Sequence, residues 1–146
     1  MTKPSKQQIN TLRLRIDSLM RRFKIAEAGP VAKDGLKLNP IDMQALLFIA
    51  DHPGCTATAV GQHLGVVPTT TSAVLDRLAR HGLVLRKRVE TNRRIVHLSL
   101  PEAGHDRVKR IIETSNAYCR AMLEALEPEE RARFVDAMTK IVSSIT

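Results

Sequence analysis

Between residues 61 and 84 the chain reads GQHLGVVPTTTSAVLDRLARHGLV, a pattern typical of two short helices separated by a turn. Thr56 or Thr58 can cap the first helix, which ends at Gly65, a residue that allows a sharp change of direction. The second helix begins around Pro68 and buries a stripe of Val and Leu side chains. Together they predict a helix-turn-helix motif.

Two strands follow the second helix directly. Residues Leu83 to Arg88 and Ile95 to Leu100 have the alternation that predicts strands, and a polar loop separates them. Val96, Leu98 and Leu100 fall on one face of the second strand. The sequence therefore predicts a β-hairpin, or wing, next to the helix-turn-helix.

Amphipathic helices are predicted ahead of this segment. Asn39 is placed as an N-cap before Pro40, which predicts a buried helix that ends near Asp51. The first 28 residues carry an apolar stripe, and their helix should end near Gly29-Pro30. The stripe residues are Ile9, Leu12, Ile16, Leu19 and Phe23.

Two more amphipathic helices are predicted after the wing. Ser99 and Glu102 have the spacing of a capping box, which would open a long helix of roughly 25 residues. Pro128 suits the first turn of a final helix. The apolar stripe of that helix is Phe134, Val135, Met138, Ile141, Val142 and Ile145. The expected fold class is mainly α with a small β-hairpin wing.

The terminal helices, in residues 1–30 and 101–146, carry broad apolar faces that need a partner. Residues 38–100 already make a compact winged helix-turn-helix segment with its own core. A second copy would cover the terminal helices and place two winged segments symmetrically, which suits a palindromic DNA site with half-sites about 34 Å apart. We expect one domain over residues 1–146 and a twofold homodimer, with a six-helix monomer as the alternative.

Positive charge is concentrated around the wing. The formal charge of the chain is +8, and residues 76–94 hold seven basic against two acidic side chains. This balance favours a polyanionic partner. Three Phe and one Tyr are too few for single-strand recognition by base stacking. No apolar run suits a membrane span or a signal peptide, so we expect a cytoplasmic protein without a membrane partner.

The order of three short motifs resembles the helix-turn-helix of the multiple-antibiotic-resistance-regulator (MarR) family. Leu64-Gly65-Val66, Asp76-Arg77-Leu78 and Gly82-Leu83-Val84 fall at the spacing of that family. The resemblance extends over nearly the whole chain and includes Glu102-Ala103-Gly104, which is similar to the family's entry into its dimerisation helix. It implies a winged helix-turn-helix with N- and C-terminal dimerisation helices, and a ligand-responsive homodimeric repressor that binds double-stranded operator DNA.

The resemblance also places the recognition helix, which enters the major groove, between residues 68 and 80. Its exposed start is formed by Pro68, Thr69, Thr70 and Ser72. Hydroxyl groups there can bond phosphates or base edges, and Thr methyl groups can contact thymine. Helix capping is the other interpretation of the four successive hydroxyls from Thr69 to Ser72, but it explains only one of them. Thr71 should face inward, and Ala73 lacks the long polar side chain of many relatives.

Arginines dominate the expected wing. Arg93 and Arg94 are expected at its tip, where a guanidinium enters a narrow minor groove. Arg86 and Arg88 project from the preceding strand and should contact phosphates, with a simply solvated strand as the alternative. The family's wing carries an Asp two positions before its Arg. This chain has Thr or Asn there, so the choice between the two tip arginines stays open.

A pocket for a small aromatic or anionic effector is a further implication of the resemblance. The family places it between the dimerisation helices and the DNA-binding part. Cations of the first helix would hold the charge of such a ligand, and apolar neighbours would form its walls. The candidate cations are Arg15, Arg22 and Lys24, and the candidate walls are Met20, Phe23 and Met43. A solvated helix surface is the competing interpretation.

The cysteines and histidines add no chemistry to this interpretation. Cys55 and Cys119 form no disulfide framework and are expected to be buried structural thiols. The five His show no spacing for a closed zinc site. Neither a metal nor a cofactor is therefore expected.

Two other classes of function were weighed against a DNA-binding regulator. An enzyme is not expected, because the sequence has no Gly-rich phosphate loop, nucleophile elbow or zinc signature. A winged-helix module that binds protein without specific DNA binding is the alternative function, since a fold alone does not fix a function. Such a module would not need Arg at both the strand and the tip of its wing.

Overall fold

The computed structural model describes residues 2–27 and 37–145, with the backbone alone for residues 24–27. The elements are α1 (Lys6–Glu27), α2 (Pro40–Asp51), β1 (Cys55–Thr56), α3 (Ala57–Leu64), α4 (Pro68–Arg80), β2 (Leu85–Val89), β3 (Asn92–Ser99), α5 (Glu102–Glu124) and α6 (Pro128–Ile145). This mainly helical chain with a small sheet confirms the expected fold class. The expected end of the first helix, near Gly29-Pro30, lies outside the described residues.

The chain divides into two units, which we describe separately. The winged-helix unit is Pro30–Ile112, and the terminal unit consists of Met1–Gly29 and Glu113–Thr146. The winged-helix unit therefore contains α2 to β3 and the first half of α5, and the terminal unit contains α1, the second half of α5, and α6. A single domain over all 146 residues stays a prediction.

Local capping explains where α2 and α3 begin. The Asn39 side chain accepts a hydrogen bond from the Asp42 amide at 2.9 Å, and Pro40 occupies the first turn of α2, as predicted. The Thr56 hydroxyl accepts from the Ala59 amide at 3.2 Å, so Thr56, and not Thr58, caps α3. These side chains bond amide groups that have no partner within the helix.

The three strands form an antiparallel sheet in the order β1-β3-β2. The predicted hairpin of β2 and β3 is present, and the two-residue β1 was not predicted. Cys55 and Thr56 of β1 pair with Leu98 and His97 of β3, far along the chain. Such a short strand has no alternation of its own, and only the tertiary pairing defines it.

The hydrophobic core lies in the winged-helix unit, at the junction of α2, α3, α4 and the sheet. Its largest fully buried side chains are Leu46, Ile49, Leu78, Leu98, Val60 and Val74. Leu83, Val84, Leu100 and Val108 extend the same cluster towards α5. The alternation predicted for the second strand is confirmed, since Leu98 and Leu100 are buried and Val96 packs against the cluster.

The start of α5 differs from the prediction. Ser99 still pairs with Leu85 in the sheet, and α5 begins at Glu102, so Ser99 is too far from the helix to be its N-cap. The expected capping box is therefore wrong. Gly104 lies so close to the carbonyl oxygen of Leu83 that a Cβ atom would overlap it. The packing of α5 at this point requires glycine.

The terminal unit leaves most of its apolar side chains exposed. Phe23 packs on Tyr118 with 4.6 Å between ring centroids, and the Tyr118 hydroxyl donates a 3.0 Å hydrogen bond to the Arg22 carbonyl oxygen. The exposed apolar residues of α1 are Ile9, Leu12, Leu14, Ile16, Leu19 and Met20, and those of α6 are Phe134, Val135, Met138, Ile141, Val142 and Ile145. The stripes predicted for both helices are present, and one chain leaves them largely uncovered.

The two thiols have different environments. Cys119 on α5 is exposed, so its expected burial is wrong, because this part of the chain covers little of its own helical surface. Cys55 in β1 is half-buried, and burial raises the pKa of its thiol against a smaller opposing effect of a backbone hydrogen bond.

Candidate nucleic-acid interface

The first two helices of the motif pack at very close range. A Cβ atom on Gly61 of α3 would lie 2.6 Å from the Thr71 hydroxyl oxygen of α4. Thr71 is buried, as predicted, and its hydroxyl donates to the Val67 carbonyl oxygen at 3.3 Å. Gly65 has a φ of +68°, which ends α3 and turns the chain towards α4. These contacts fix the direction of the recognition helix.

The N-terminal turns of α4 form a small, uncharged and exposed surface. It consists of Val67, Pro68, Thr69, Thr70, Ser72 and Ala73, and we call it the methyl-hydroxyl surface. Val67 is 61% exposed, so its apolar side chain belongs to this surface. All four predicted positions of the helix start are therefore accessible to a partner.

Capping does not explain the Thr cluster. The N-cap of α4 is Val67, whose side chain makes no capping hydrogen bond. Thr69, Thr70 and Ser72 lie beyond the cap position, with their side chains exposed. Their hydroxyl groups are thus not needed to begin the helix.

Two charged residues in the middle of α4 are engaged within the protein. Arg77 binds the buried Asp42 of α2 through two nitrogens, with an Nη2–Oδ1 distance of 2.8 Å and an Nε–Oδ2 distance of 3.4 Å. The hydrogen bond and the negative charge of Asp42 raise the pKa of the Arg77 guanidinium. This fork ties the recognition helix to the preceding core helix.

The second engaged residue of α4 links the recognition helix to the wing. Asp76 accepts a 2.6 Å hydrogen bond from Arg86 of β2, and both side chains are well exposed. Arg86 was predicted to contact phosphate. Its guanidinium keeps other donors, but one of them is already bound to Asp76. Surface pairs of this kind contribute little stability, so the main effect of the bond is orientation.

The wing is tighter than predicted, and its arginines lie in a bulge. Residues 90 and 91 form the turn, so Arg93 and Arg94 follow the tip on β3 and do not form it. The strand pairing steps from Arg88–Val96 to Val89–Asn92, which leaves residues 93–95 without partners on β2. A bulge of this kind re-aims side chains and breaks the ladder of backbone hydrogen bonds.

Side chains of the wing itself bind the backbone of this bulge. Arg88 donates from Nη1 to the Arg93 carbonyl oxygen at 2.8 Å. The Asn92 side chain accepts from the Arg94 amide at 3.1 Å, which is an Asx-type turn. Arg88, predicted as a phosphate contact, therefore also braces the segment that carries the two wing arginines.

An open groove of about 650 Å³ follows the exposed face of α4 towards β2. Its lining residues are Ala73, Asp76, Arg77, Ala79, Arg80 and Arg86. Sequence reasoning did not find Arg77 or Arg80 as members of this surface. Arg80 stands seven residues after Ala73, a helical spacing that would have placed the two on one face.

The candidate effector residues are distributed over both units. In the terminal unit an open cleft of about 470 Å³ is lined by Ser18, Arg21, Arg22 and Tyr118. Among the predicted residues Arg22 lines this cleft, Phe23 packs on Tyr118, and Arg15 and Met20 are exposed elsewhere on α1. Met43 belongs to the winged-helix unit, and the side chain of Lys24 lies outside the described residues.

Helical spacing was the signal that could have found the missed cleft residues. Arg21 and Arg22 lie three and four positions after Ser18, and Arg21 donates to the Ser18 hydroxyl at 3.3 Å.

Among residues 2–27 and 37–145, no group of three or more His, Cys, Asp and Glu is placed to hold a metal ion. In the same residues, no helix combines the length and hydropathy needed to cross a bilayer.

Comparison with known proteins agrees with this architecture, which is that of a winged helix-turn-helix protein. A family model described as the MarR family matches residues 36–95. The chain is 28% identical to the HTH-type transcriptional regulator YwhA of Bacillus subtilis over 96 residues. This alignment covers 66% of this chain and 69% of that protein. It is 20% identical to the HTH-type transcriptional repressor MdtR of Bacillus subtilis over 97% of this chain and 90% of that protein.

Solved structures show the same fold. The crystal structure of Streptococcus pneumoniae FabT in complex with DNA is similar with a TM-score of 0.81 and 23% identity, over 97% of both chains. Residues 36–95 are therefore similar to the MarR family, and the chain shares the fold of solved MarR-type structures. These relatives are transcription regulators and not enzymes, in agreement with the class expected from the sequence.

Proposed function

We propose that the protein is a homodimeric repressor that binds a palindromic operator in double-stranded DNA and is released by a small aromatic or anionic effector. The observation that carries the proposal is the methyl-hydroxyl surface at the start of α4, exposed and uncapped, in the same unit as a wing whose bulge holds Arg93 and Arg94. We place its action in the cytoplasm, where such DNA lies.

The methyl-hydroxyl surface and the wing arginines each suit one part of a DNA duplex. An α-helix fits the major groove, and the first turns of a recognition helix contact base edges. Arginines on a wing suit the phosphates or the narrow minor groove. FabT, which has the same fold, has been solved in complex with DNA.

The homodimer is supported by the terminal helices. Twelve large apolar side chains of α1 and α6 are between 37% and 77% exposed in the single chain. Soluble monomers rarely expose apolar patches of this extent. Two copies of the same helices provide a self-complementary way to cover them, and a twofold dimer matches a palindromic site.

The effector is supported by the cationic cleft of the terminal unit. Arg21 and Arg22 lie beside the aromatic ring of Tyr118, a combination that suits an aromatic ring with a negative charge. The crystal structure of PcaV from Streptomyces coelicolor, which has the same fold at a TM-score of 0.70, is a complex with its natural ligand.

The test is binding of the full-length protein to the DNA upstream of its own gene, compared with a scrambled duplex, by fluorescence anisotropy across a salt series. Arg93→Ala/Arg94→Ala is the test variant. The matched control is Arg133→Ala/Lys140→Ala, which removes the same charge from α6. We expect tight binding of the native fragment only, and a salt slope lowered by about one for each wing arginine that neutralises a phosphate.

Two results would contradict the proposal. Equal effects of both double variants would mean that only net charge matters. Weak binding to every duplex, including fragments from a genome-wide selection, would favour a protein-binding winged-helix module. Such a module would show little dependence on salt if its interface is apolar.

A further inference from the structure

We infer that the methyl-hydroxyl surface reads thymine methyl groups, so that the operator half-sites are defined by A·T pairs and not by G contacts. The inference rests on the proposed function and specifies its DNA target. It follows from which side chains of α4 are accessible and which are already occupied.

The accessible side chains at the start of α4 offer methyl groups and hydroxyls only. Val67, Pro68 and Ala73 present apolar carbon, and Thr69 and Thr70 present a methyl group beside a hydroxyl. In the major groove only thymine displays a methyl group, and apolar side chains recognise it by contact. The exposure of 61% for Val67 leaves a full apolar side chain free for such a contact.

Side chains that read the other bases are missing from this surface. Bidentate recognition of guanine needs Arg or Lys, and that of adenine needs Asn or Gln. The sequence of α4, PTTTSAVLDRLAR, contains no Lys, Asn or Gln. Its first Arg is Arg77, whose guanidinium binds Asp42 through two nitrogens, and Arg80 is the last residue of the helix.

The one acidic residue of α4 is also occupied. Asp76 would be the acceptor for a cytosine amino group, but it is bound to Arg86 at 2.6 Å. The described contacts thus engage the mid-helix charges with other protein groups, and the uncharged side chains at the start of α4 stay accessible to the bases. A hydroxyl can accept or donate to any base, so the methyl contacts carry the discrimination.

The experiment begins with selection of binding sites from a random duplex library by the full-length protein. Each thymine of the selected half-site is then replaced by deoxyuridine, which removes only the methyl group, and affinity is measured by anisotropy. Thymines flanking the half-site are replaced in the same way as controls. We expect half-sites rich in thymine and about a fourfold loss of affinity for each contacted methyl, with no change at the flanks.

Matched protein variants assign the contacts. Thr69→Ser and Thr70→Ser remove the methyl group and keep the hydroxyl, whereas Thr69→Val and Thr70→Val keep a methyl group and remove the hydroxyl. At the thymine that a Thr contacts, the Ser variant should bind thymine and deoxyuridine duplexes equally. The Val variant should retain the preference of about fourfold.

The outcomes separate this inference from the proposed function. Tight, salt-sensitive binding to a selected site that is unaffected by every deoxyuridine replacement would overturn the inference and leave the function standing. Selected half-sites defined by G·C pairs would do the same. Failure to select any duplex would overturn the proposed function itself.

Discussion

The winged-helix unit and the terminal unit differ in how far their apolar side chains are exposed. In the first, the largest core side chains, among them Leu46, Ile49 and Leu78, are less than 2% exposed. In the second, the apolar stripes of α1 and α6 are at least 37% exposed. The first unit can thus fold around its own core, and the second contains helices whose apolar faces are largely exposed among the described residues. Apolar side chains therefore form a core in one region and, in the proposed dimer, an interface in the other.

The largest expected effect is on the core of the winged-helix unit. Leu46→Ala should lower the free energy of unfolding by about 3 kcal/mol, because it removes a fully buried side chain and leaves a cavity. Urea unfolding at one fixed protein concentration measures it. Leu85→Ala, at a position that is 54% exposed, is the matched control and should change stability by less than about 1 kcal/mol. Equal losses would mean that the core is not where we place it.

The next effect concerns assembly. Ile141→Asp, at a position that is 51% exposed in the single chain, should weaken the dimer about a hundredfold, since it places a charge in an apolar interface. Sedimentation velocity over a concentration series measures it. Ser143→Asp adds the same charge away from the apolar stripe of α6 and should leave the dimer intact. An Ile141→Asp variant that dimerises like the unaltered protein would contradict an interface through this stripe, and an unaltered protein that sediments as a monomer would contradict the homodimer.

The close approach of α3 and α4 gives a smaller effect with a testable sign. Gly61→Ala should destabilise the protein by about 1 kcal/mol, because the clash with the Thr71 hydroxyl outweighs the gain of about 0.5–1 kcal/mol from replacing a helical glycine. In a Thr71→Ala background the same change should become stabilising. Thermal unfolding of the four proteins measures the reversal, and an identical effect in both backgrounds would exclude this contact as its cause.

Loss of the hydrogen bond from Arg88 to the Arg93 carbonyl oxygen should lower the affinity for DNA and leave the stability of the protein unchanged. Arg88→Ala should weaken operator binding by about fivefold, since it frees the backbone of the bulge. If Arg88 acts through the wing arginines, it should have no further effect in an Arg93→Ala/Arg94→Ala background. Lys87→Ala, on the same strand, is the control. Additive losses in the combined variant would identify Arg88 as an independent phosphate contact.

The smallest difference is expected between the two thiols. Burial raises the pKa of the Cys55 thiol, so near pH 8 a smaller fraction of it is thiolate than in a thiol of ordinary pKa. Its alkylation should therefore be slow. Its rate should rise as the pH increases through that raised pKa. The Cys119→Ser variant isolates Cys55, and the Cys55→Ser variant isolates the exposed Cys119. If iodoacetamide labels Cys55 faster than Cys119 at pH 8, the difference in burial is contradicted.

Local signals made the helices of the winged-helix unit predictable. The N-cap at Asn39, the turn at Gly65 and the inward position of Thr71 depend on neighbours within four residues, and all three were found. Two features that the sequence did not predict have a common physical origin. The pairing of β1 with β3 and the bond between Arg77 and Asp42 join residues more than thirty positions apart.

The exposure of the candidate site residues was predictable, and their hydrogen bonds were not. Residue type and helical position identified Thr69, Thr70 and the wing arginines, because exposure of a helix start follows from periodicity. The engagement of Arg86 with Asp76 and of Arg88 with the Arg93 carbonyl depends on the register of the hairpin. Hydropathy alone does not fix that register, since both faces near the tip are polar.

Ala73 has a consequence for how this protein can diverge after gene duplication. It is exposed on α4, borders the open groove and takes no part in the core. A longer side chain at this position therefore fits into free space, and the packing that determines folding is left unchanged. If α4 reads DNA as proposed, a duplicate copy can acquire a new target sequence through one substitution there, while its terminal helices are inherited unchanged.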